Sequence, residues 1–543
     1  MQNKKHHIKA KIDIINKRDG RIEVEGVLAG SCNDNGDLEI KKDNQSLPVA
    51  PRKRPFEDCC VPVRSGSRAC GFTTEFDDDI KNFTLSFFFN SCSKPSPIKV
   101  QPRKLTGMHN DLKKSYRLLG SKIITYSKNE LLFEDATISN IFKKELSFCI
   151  ELLSKKLIYP KVLFYRATHL ALKPLQRSST WLLLDREDAA GDNAEHLFRY
   201  LQKINPPKKT KIYFVISKNS PDYKRMKRYG KVLPLYSFRH KIRFMNSKFV
   251  ISSHADPHVL IPFGETNKFI NGLIDFDFIY LRHGVSDKNQ SKFLNKYSKN
   301  IRLMISSSEK ELGVALSDEY GYDKSNVAIT GMPRHDKLKS KPDNKILIMP
   351  TWRKSIASPL SQNTGQRAYN ESFKDSDFFH FYNSLLKNER LIQALNQNDY
   401  RLEFYLHPAF SAQISDFETI SPLVYIMEPP YSYNKAFEKG SLLITDYSSV
   451  VYDFIFLKKP IIYTQFDREE FFKQQWQGSD FSYEEDGFGP VCYNSLDTVE
   501  MVIKYIELGC RTEEIYLDRA QHFFKYSDGK NSERVYNEII KQL

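Results

Sequence analysis

Leu442–Phe466 reads LLITDYSSVVYDFIFLKKPIIYTQF. Leu442, Leu443 and Ile444 form a short apolar run of the kind that makes a buried parallel strand. Thr445, Asp446, Tyr447 and Ser448 interrupt it with hydroxyls and a carboxylate. Ser449 is a good N-cap for a helix over Val450–Lys458, whose C-terminal end suits Lys458 and Lys459. Pro460 stops that helix, and Ile461–Tyr463 resume a strand. Such a βαβ unit presents free backbone N–H groups and a positive helix end beyond a strand's carboxyl edge, where open α/β sheets bind phosphate. Asp453, one helical turn after Ser449, could reach a ribose or orient the loop. The plain alternative is a capped helix with its acid near the dipole's positive end. Local physics leaves the two readings level.

Working outward, the same alternation recurs. Trp181–Asp185, Lys211–Lys218, Phe249–Ser253, Phe276–Leu281 and Leu303–Ser306 read as strands, with a helix over Asn193–Ile204. Ile346–Met349 starts a second set, followed by Glu403–Leu406, Leu442–Thr445 and Ile461–Tyr463. Strands alternating with helices imply parallel, doubly wound sheets. The fold class is therefore α/β, two Rossmann-like domains in a glycosyltransferase-B arrangement, with the last helices closing the second domain. Before them, short alternating segments (IKAKIDII, RIEVEGVLA, FTLSFFF, SKIITYS) separated by turn-rich stretches predict a small antiparallel β domain of sandwich type. The expected division is 1–130 for the β-rich accessory domain, 131–160 for a helical linker, 161–338 for the first Rossmann-like domain and 339–543 for the second. The linker helix, Ile138–Leu157, has apolar residues at helical spacing with lysines between them. It suits a membrane surface, though packing on the next domain is the favoured reading.

Length and composition bound the function. The 543 residues exceed what one core supports. A net charge of +16 points to an anionic partner: nucleic acid, an anionic membrane or a polyphosphate substrate. The N-terminus lacks the apolar core of a signal peptide, and no apolar run approaches the ~20 residues of a membrane span. The expected location is cytoplasmic, peripheral on the cytoplasmic membrane face. Eight cysteines fit no zinc spacing; five lie in the β domain and read as packing residues.

TDYSSVVYDF followed by KKPIIYTQFD resembles the C-terminal signature of the CDP-glycerol glycerophosphotransferase family, whose members build teichoic acids and related capsule polymers. Further motifs follow in family order: WLLLDREDAAGDNAEHLFRYL (181–201) with its Asp-Asn before a helix, LRHGVSDK (281–288), ITGMPRHDKL (329–338), ILIMPTWRK (346–354) and YLHP (405–408). The resemblance covers about 280 residues and excludes the first 160. It implies a phosphotransferase that takes glycerol phosphate or ribitol phosphate from a CDP-alditol, CDP-glycerol or CDP-ribitol. The hydroxyl end of a lipid-linked or polymeric acceptor displaces CMP.

Each motif has a physical role and a plainer alternative. His283, before Gly284 at a strand's carboxyl edge, is placed to take a proton from an attacking alcohol; alone it would more often be a turn histidine. His407, before Pro408, is the candidate charge stabiliser or acid. Thr351 and Arg353 follow a strand and suit phosphate oxygens, Arg353 through its planar fork; Arg334 is a weaker candidate of the same kind. Thr445, Ser448, Ser449 and Asp453 complete the expected CDP site. Asp256 and His258, in SSHADPH, are weak candidates for the acceptor side. No acidic cluster suggests a metal site, so neither metal nor cofactor is expected, although a divalent ion remains compatible. The stretch Lys203–Lys231 holds ten Lys and Arg. With no nucleic-acid motif beside it, Lys224, Arg225, Lys227 and Arg228 read as a membrane or polymer contact rather than a nucleic-acid surface. Lys354–Asp375, rich in Ser, Asn and Gln, could cover the cleft. Two readings compete: a glycosyltransferase-B enzyme with a nucleotide-sugar donor, and a non-catalytic basic protein that binds polyanions.

Overall fold

The structure is a computed structural model and describes residues 9–543, apart from 30–35, 44, 53–70, 90–95, 128–129, 158, 176–177, 205, 208, 286–288, 360–366, 430 and 476–480. Cys32, Cys59, Cys60, Cys70 and Cys92, and the middle of the Lys354–Asp375 stretch, lie outside the described residues.

Two sheets form the N-terminal domain. One runs in the order Ala50–Arg52, Gly71–Asp77, Arg21–Ala29, Lys9–Arg18, Lys99–Pro102. The other runs Arg117–Leu119, Lys122–Tyr126, Glu130–Asp135, Asn82–Phe89, Gly36–Lys42, Gln45–Leu47. Pairing is antiparallel except between Lys9–Arg18 and Lys99–Pro102, which run parallel. Period-two apolar residues of both sheets, among them Ile12, Val24, Phe76, Phe83 and Phe133, share one core. A buried ion pair between Lys296 and Glu25, with the Tyr297 hydroxyl donating to Glu25 at 3.1 Å, ties this domain to the next. Unpairing either charge there would leave the other desolvated, which fixes how the two domains meet.

The linker helix spans Ile138–Ser154, capped by the Thr137 hydroxyl, which accepts from Asn140 N–H. Phe148 and Leu152 face inward. On another face Ile138, Phe142, Leu146, Ile150 and Leu153 are all more than half exposed, Ile138 at 84%. The expectation of a packed linker therefore covers one face only; the helix is apolar on two.

The first Rossmann-like sheet has seven parallel strands in the order Val232–Pro234, Thr210–Ile216, Ser179–Leu184, Phe249–Ser252, Asp277–Tyr280, Ile301–Ser306, Val327–Ile329. The second has six: Val424–Ile426, Arg401–Phe404, Lys345–Ile348, Gly440–Thr445, Ile461–Thr464, Val491–Cys492. In chain order within each sheet this is 3-2-1-4-5-6, with one further strand in the first. Both sheets therefore reverse direction between their first and fourth strands. Ligands of doubly wound sheets bind at such a reversal, beyond the strands' carboxyl ends. The residues there are 185–193 and 253–256 in one domain, 349–353 and 446–449 in the other.

The final helix, Asn531–Ile540, differs from expectation. Val535 and Ile539 pack into the first domain's core with Leu197, Phe198 and Phe214, so the last turn of the chain crosses back over. Asp336 in the crossover segment accepts from the N–H groups of Asn531 and Ser532, both at 2.8 Å. This carboxylate supplies the cap that the helix's own Lys530 cannot.

Candidate active site

The site is built on loops of both domains that meet between the sheets. In the first domain, Asp185 ends a central strand. Its carboxyl accepts from Ala194 N–H (2.9 Å), Glu195 N–H (3.2 Å) and the Ser253 hydroxyl (2.6 Å), capping helix Asn193–Leu201 from outside. Burial, with the nearby charge of Asp192, pushes this carboxyl up to about 7. The cap fixes Asp192 at the helix's first turn. Asn193 then donates to the carbonyls of Leu281 (3.1 Å) and Arg282 (2.8 Å) and accepts from Arg334 N–H at 3.1 Å. One amide thus sets the loop bearing His283 against the domain crossover.

His283 follows Arg282, which sits at φ +55° with its guanidinium buried on Glu311 at 2.9 Å. A non-glycine residue in this region is strained and is held there by its surroundings. The turn aims His283 outward: its side chain is 61% exposed, with Nδ1 2.6 Å from Asp192 Oδ2. A carboxylate at that distance holds the proton on Nδ1 and leaves Nε2 free to accept one. The other Asp192 oxygen takes Arg334 Nη1 at 2.7 Å. Burial alone would raise the Asp192 carboxyl, but the Arg334 guanidinium and His283 hold it well below the usual range. It is ionised at any working pH.

Arg334 spans the domains. Its Nε and Nη2 donate to Asp453 Oδ1 and Oδ2, both at 2.7 Å, while His335 Nε2 lies 2.9 Å from Asp453 Oδ1 and its ring stacks on Phe456 at 4.1 Å. Arg334 and Asp453 were expected to contact the nucleotide. The structure commits both, fully buried, to a bidentate pair that locks the second domain's Val450–Phe456 helix to Asp192. Arg353 is committed likewise: it pairs with Asp446 (2.8 Å) and Asp467 and donates to the Thr351 carbonyl at 2.6 Å. Asp446 also accepts from Thr351 N–H (2.9 Å) and Tyr447 N–H (2.6 Å). Arg353 therefore shapes the two donor-side loops instead of offering a fork to phosphate.

The remaining donor-side residues divide. Thr445 is buried, its hydroxyl donating to the Met349 carbonyl at 2.6 Å, so it staples two strands. Among the described residues, Thr351 Oγ1 is buried with no hydrogen-bond partner. Ser448 accepts weakly from Val450 N–H at 3.4 Å. Ser449 stands at the N-cap, but its side chain makes no capping bond, and the helix is shorter than expected, ending at Phe456. The Ser449 hydroxyl faces the other domain instead: a Cβ on Gly284 would lie 2.9 Å from its Oγ. Only glycine lets the His283 loop approach so closely.

His407 Nδ1 accepts from Ala409 N–H at 3.1 Å, so its neutral ring carries a proton on Nε2. Burial pulls it down to about 4, the neighbouring Arg186 and His283 adding to the effect against Asp446. It is therefore a neutral hydrogen-bond donor, not an imidazolium acid. Asp256 makes no capping bond for the turn Pro257–Leu260, and His258 is exposed there, its carbonyl accepting from Tyr236 at 3.3 Å. Neither bonds to the His283–Asp192 pair. Their neighbour His254 does lie beside it, its ring 4.5 Å from that of His283. Asp192, His254 and His283 bring one ligand atom each within 4.8 Å, a set able to take a metal ion. The three residues come from three separate loops.

Nothing in the sequence assigns the Asp192–Asn193 pair its role, and neither Asp185 nor His254 stands out there from its neighbours. In the basic stretch, Arg225 is bound to Glu195 (2.7 Å) and Asp222 (2.9 Å), whereas Lys224, Lys227 and Arg228 are exposed.

Three comparisons bear on this geometry. The sequence profile of the CDP-glycerol:poly(glycerophosphate) glycerophosphotransferase family matches residues 163–541. The minor teichoic acid biosynthesis protein GgaB of Bacillus subtilis (strain 168) is 36% identical over 541 residues, 98% of this chain and 59% of GgaB. The teichoic acid glycerol-phosphate transferase of Staphylococcus aureus is 25% identical over 286 residues, 48% of this chain and 65% of the relative. The chain thus spans less than two thirds of either. Among solved structures, the wall teichoic acid polymerase TagF superposes with a TM-score of 0.52 at 15% identity, covering 75% of this chain and 98% of that one, a likeness of fold. With the family profile running across both Rossmann-like domains and every loop of the cleft, the chain belongs to the CDP-glycerol:poly(glycerophosphate) glycerophosphotransferase family.

Proposed function

We propose that this protein transfers a glycerol-phosphate or ribitol-phosphate unit from a CDP-alditol to the terminal hydroxyl of a phosphate-containing polymer or lipid-linked acceptor, releasing CMP. The observation that carries the reading is the Asp192–His283 pair, its imidazole exposed and its loop brought at Gly284 against Ser449 of the opposite domain. Names of relatives such as the teichoic acid glycerol-phosphate transferase support the substrate class.

The chemistry follows from that geometry. The acceptor hydroxyl gives its proton to His283 Nε2 as its oxygen attacks the β-phosphorus. The bond from that phosphorus to CMP breaks, and a phosphodiester remains. Asp192 holds the imidazole's tautomer and stabilises the imidazolium that forms. Positioning and charge stabilisation dominate such transfers. The Thr351 hydroxyl, the Ser448–Ser449 turn and His407 Nε2–H supply neutral donors to the diphosphate. No cofactor is invoked. Asp192 already carries Arg334 on one oxygen, and a dication added there would face that guanidinium.

CDP is expected to raise the thermal midpoint of the protein, because a ligand that binds only the folded state stabilises it. UDP is expected to do so much less. Ser449→Asp would abolish the CDP shift by setting a carboxylate against the diphosphate. Equal shifts from UDP and CDP would favour a nucleotide-sugar glycosyltransferase.

For location, the reading is peripheral attachment to an anionic membrane on the cytoplasmic face. Among the described residues no helix is long and apolar enough to cross a bilayer. The exposed stripe Ile138, Phe142, Leu146, Ile150 and Leu153 supports the attachment instead, with exposed Phe164 and the neighbouring Lys143, Lys156 and Lys161 offering cations to lipid phosphates. Phe142→Ser with Ile150→Ser is expected to cut sedimentation with anionic liposomes at least tenfold, leaving turnover on a soluble acceptor unchanged. Sedimentation equal to the parent's would remove this helix as the contact.

A further inference from the structure

Both arginines that the sequence marks for phosphate are spent on carboxylates, Arg334 on Asp453 and Asp192, Arg353 on Asp446 and Asp467. A transferase acting on a polyanion still needs a cation in its cleft. Arg186 is placed to be one. It stands one residue past Asp185 at the carboxyl end of the central strand Ser179–Leu184, on the loop that also carries Asp192. Its side chain is 49% exposed, and its nearest carboxylate among the described residues, Asp188, is 3.7 Å away and 75% exposed. That contact is too long for a hydrogen bond and too open to water to hold the guanidinium.

The loop is tied across the cleft. Gly191, at φ +116°, accepts from Asn434 of the second domain at 3.0 Å, which brings helix Tyr433–Lys439 over it. The positive charge of Arg186 accordingly reaches His254 on its own side and His407 and Tyr433 on the other. Its neighbour Glu187 is occupied by the Tyr236 hydroxyl at 2.6 Å, leaving the guanidinium without a close acid on that side among the described residues.

We propose that Arg186 holds a phosphodiester of the acceptor chain, the one next to the attacking hydroxyl, and so sets that hydroxyl against His283. A guanidinium fork matches two phosphate oxygens at once. The side of the cleft decides which phosphate. Arg186 shares its loop with the residue that orients the base, where the nucleophile must sit, whereas the donor's diphosphate is met by the opposite loops at Thr351 and Ser448–Ser449. In a poly(alditol phosphate), the terminal hydroxyl and the nearest phosphodiester belong to one unit, so holding the second places the first. This inference rests on the proposed transfer.

Two experiments separate it from that reading. In steady state, Arg186→Gln should raise KM at least tenfold for a short oligo(glycerol phosphate) acceptor. kcat and the KM for CDP-glycerol should stay within about twofold, and KM for a phosphate-free alditol acceptor should not move. A rise in KM for CDP-glycerol, or an equal loss on both acceptors, would overturn the assignment. The second needs no turnover: a fluorescent oligo(glycerol phosphate), followed by anisotropy, should bind the parent and bind Arg186→Gln at least tenfold more weakly. Arg390→Gln, exposed on helix Glu389–Gln397 and paired with Glu500, should match the parent. If the parent releases no CMP from CDP-alditols yet binds the oligomer through Arg186, the transfer reading fails and the polyanion site stands. Binding unaffected by Arg186→Gln sinks the site itself.

Discussion

His283→Ala is expected to lower CMP release on the order of 10²–10⁴-fold while leaving the fold intact, the range for losing a positioned general base. Folding should survive because the side chain is 61% exposed and, among the described residues, its ring hydrogen-bonds only to Asp192. Asp192→Asn tests the same pair from the other side. The amide cannot hold the proton on Nδ1 as the carboxylate does, so the imidazole is free to take the unproductive tautomer, and a loss of similar size is expected. The two changes should not add, because they disable one device. A folded His283→Ala protein with near-normal turnover would remove it as the base. Additive losses in the double variant would mean that Asp192 acts by some other route.

Arg334→Leu is expected to be the most destabilising single change in the cleft. It leaves Asp453 and Asp192 buried and uncompensated at one end of each pair. Breaking a buried ion pair by removing one partner costs about 3–5 kcal/mol, mostly the desolvation of the charge left behind. The transition midpoint in urea should fall accordingly. Arg334→Leu with Asp453→Leu should recover part of the loss, since one orphaned carboxylate is then gone, though Asp192 still lacks its cation. A midpoint within experimental error of the parent's for Arg334→Leu would mean that the network does not hold the domains.

The architecture was largely legible in the sequence because it depends on local signals. Apolar runs such as Trp181–Leu184 and Leu442–Ile444 mark buried parallel strands, and their spacing leaves room for one helix each. The motif at Arg282–Gly284 was legible as a place where backbone approaches something. The assignment of arginines was not, because a sequence shows a cation but not its acid: Asp453 is 119 residues from Arg334, and Asp467 is 114 from Arg353. His254 escaped for a related reason. Nothing in SSHADPH distinguishes it from His258 until strands Phe249–Ser252 and Asp277–Tyr280 pair in parallel and set its ring beside His283. The last helix was misassigned because its apolar residues fit either domain's core; Asp336 decides it by capping the helix from the crossover.

The central claim is that the cleft transfers an alditol phosphate with His283 as base. Its most direct test is CMP release from CDP-glycerol and CDP-ribitol in the presence of an oligo(alditol phosphate) acceptor, with UDP-sugars in parallel. The account predicts acceptor-dependent CMP release from at least one CDP-alditol, abolished in His283→Ala, and no UDP release. UDP release from a nucleotide sugar without CMP release from either CDP-alditol would contradict it.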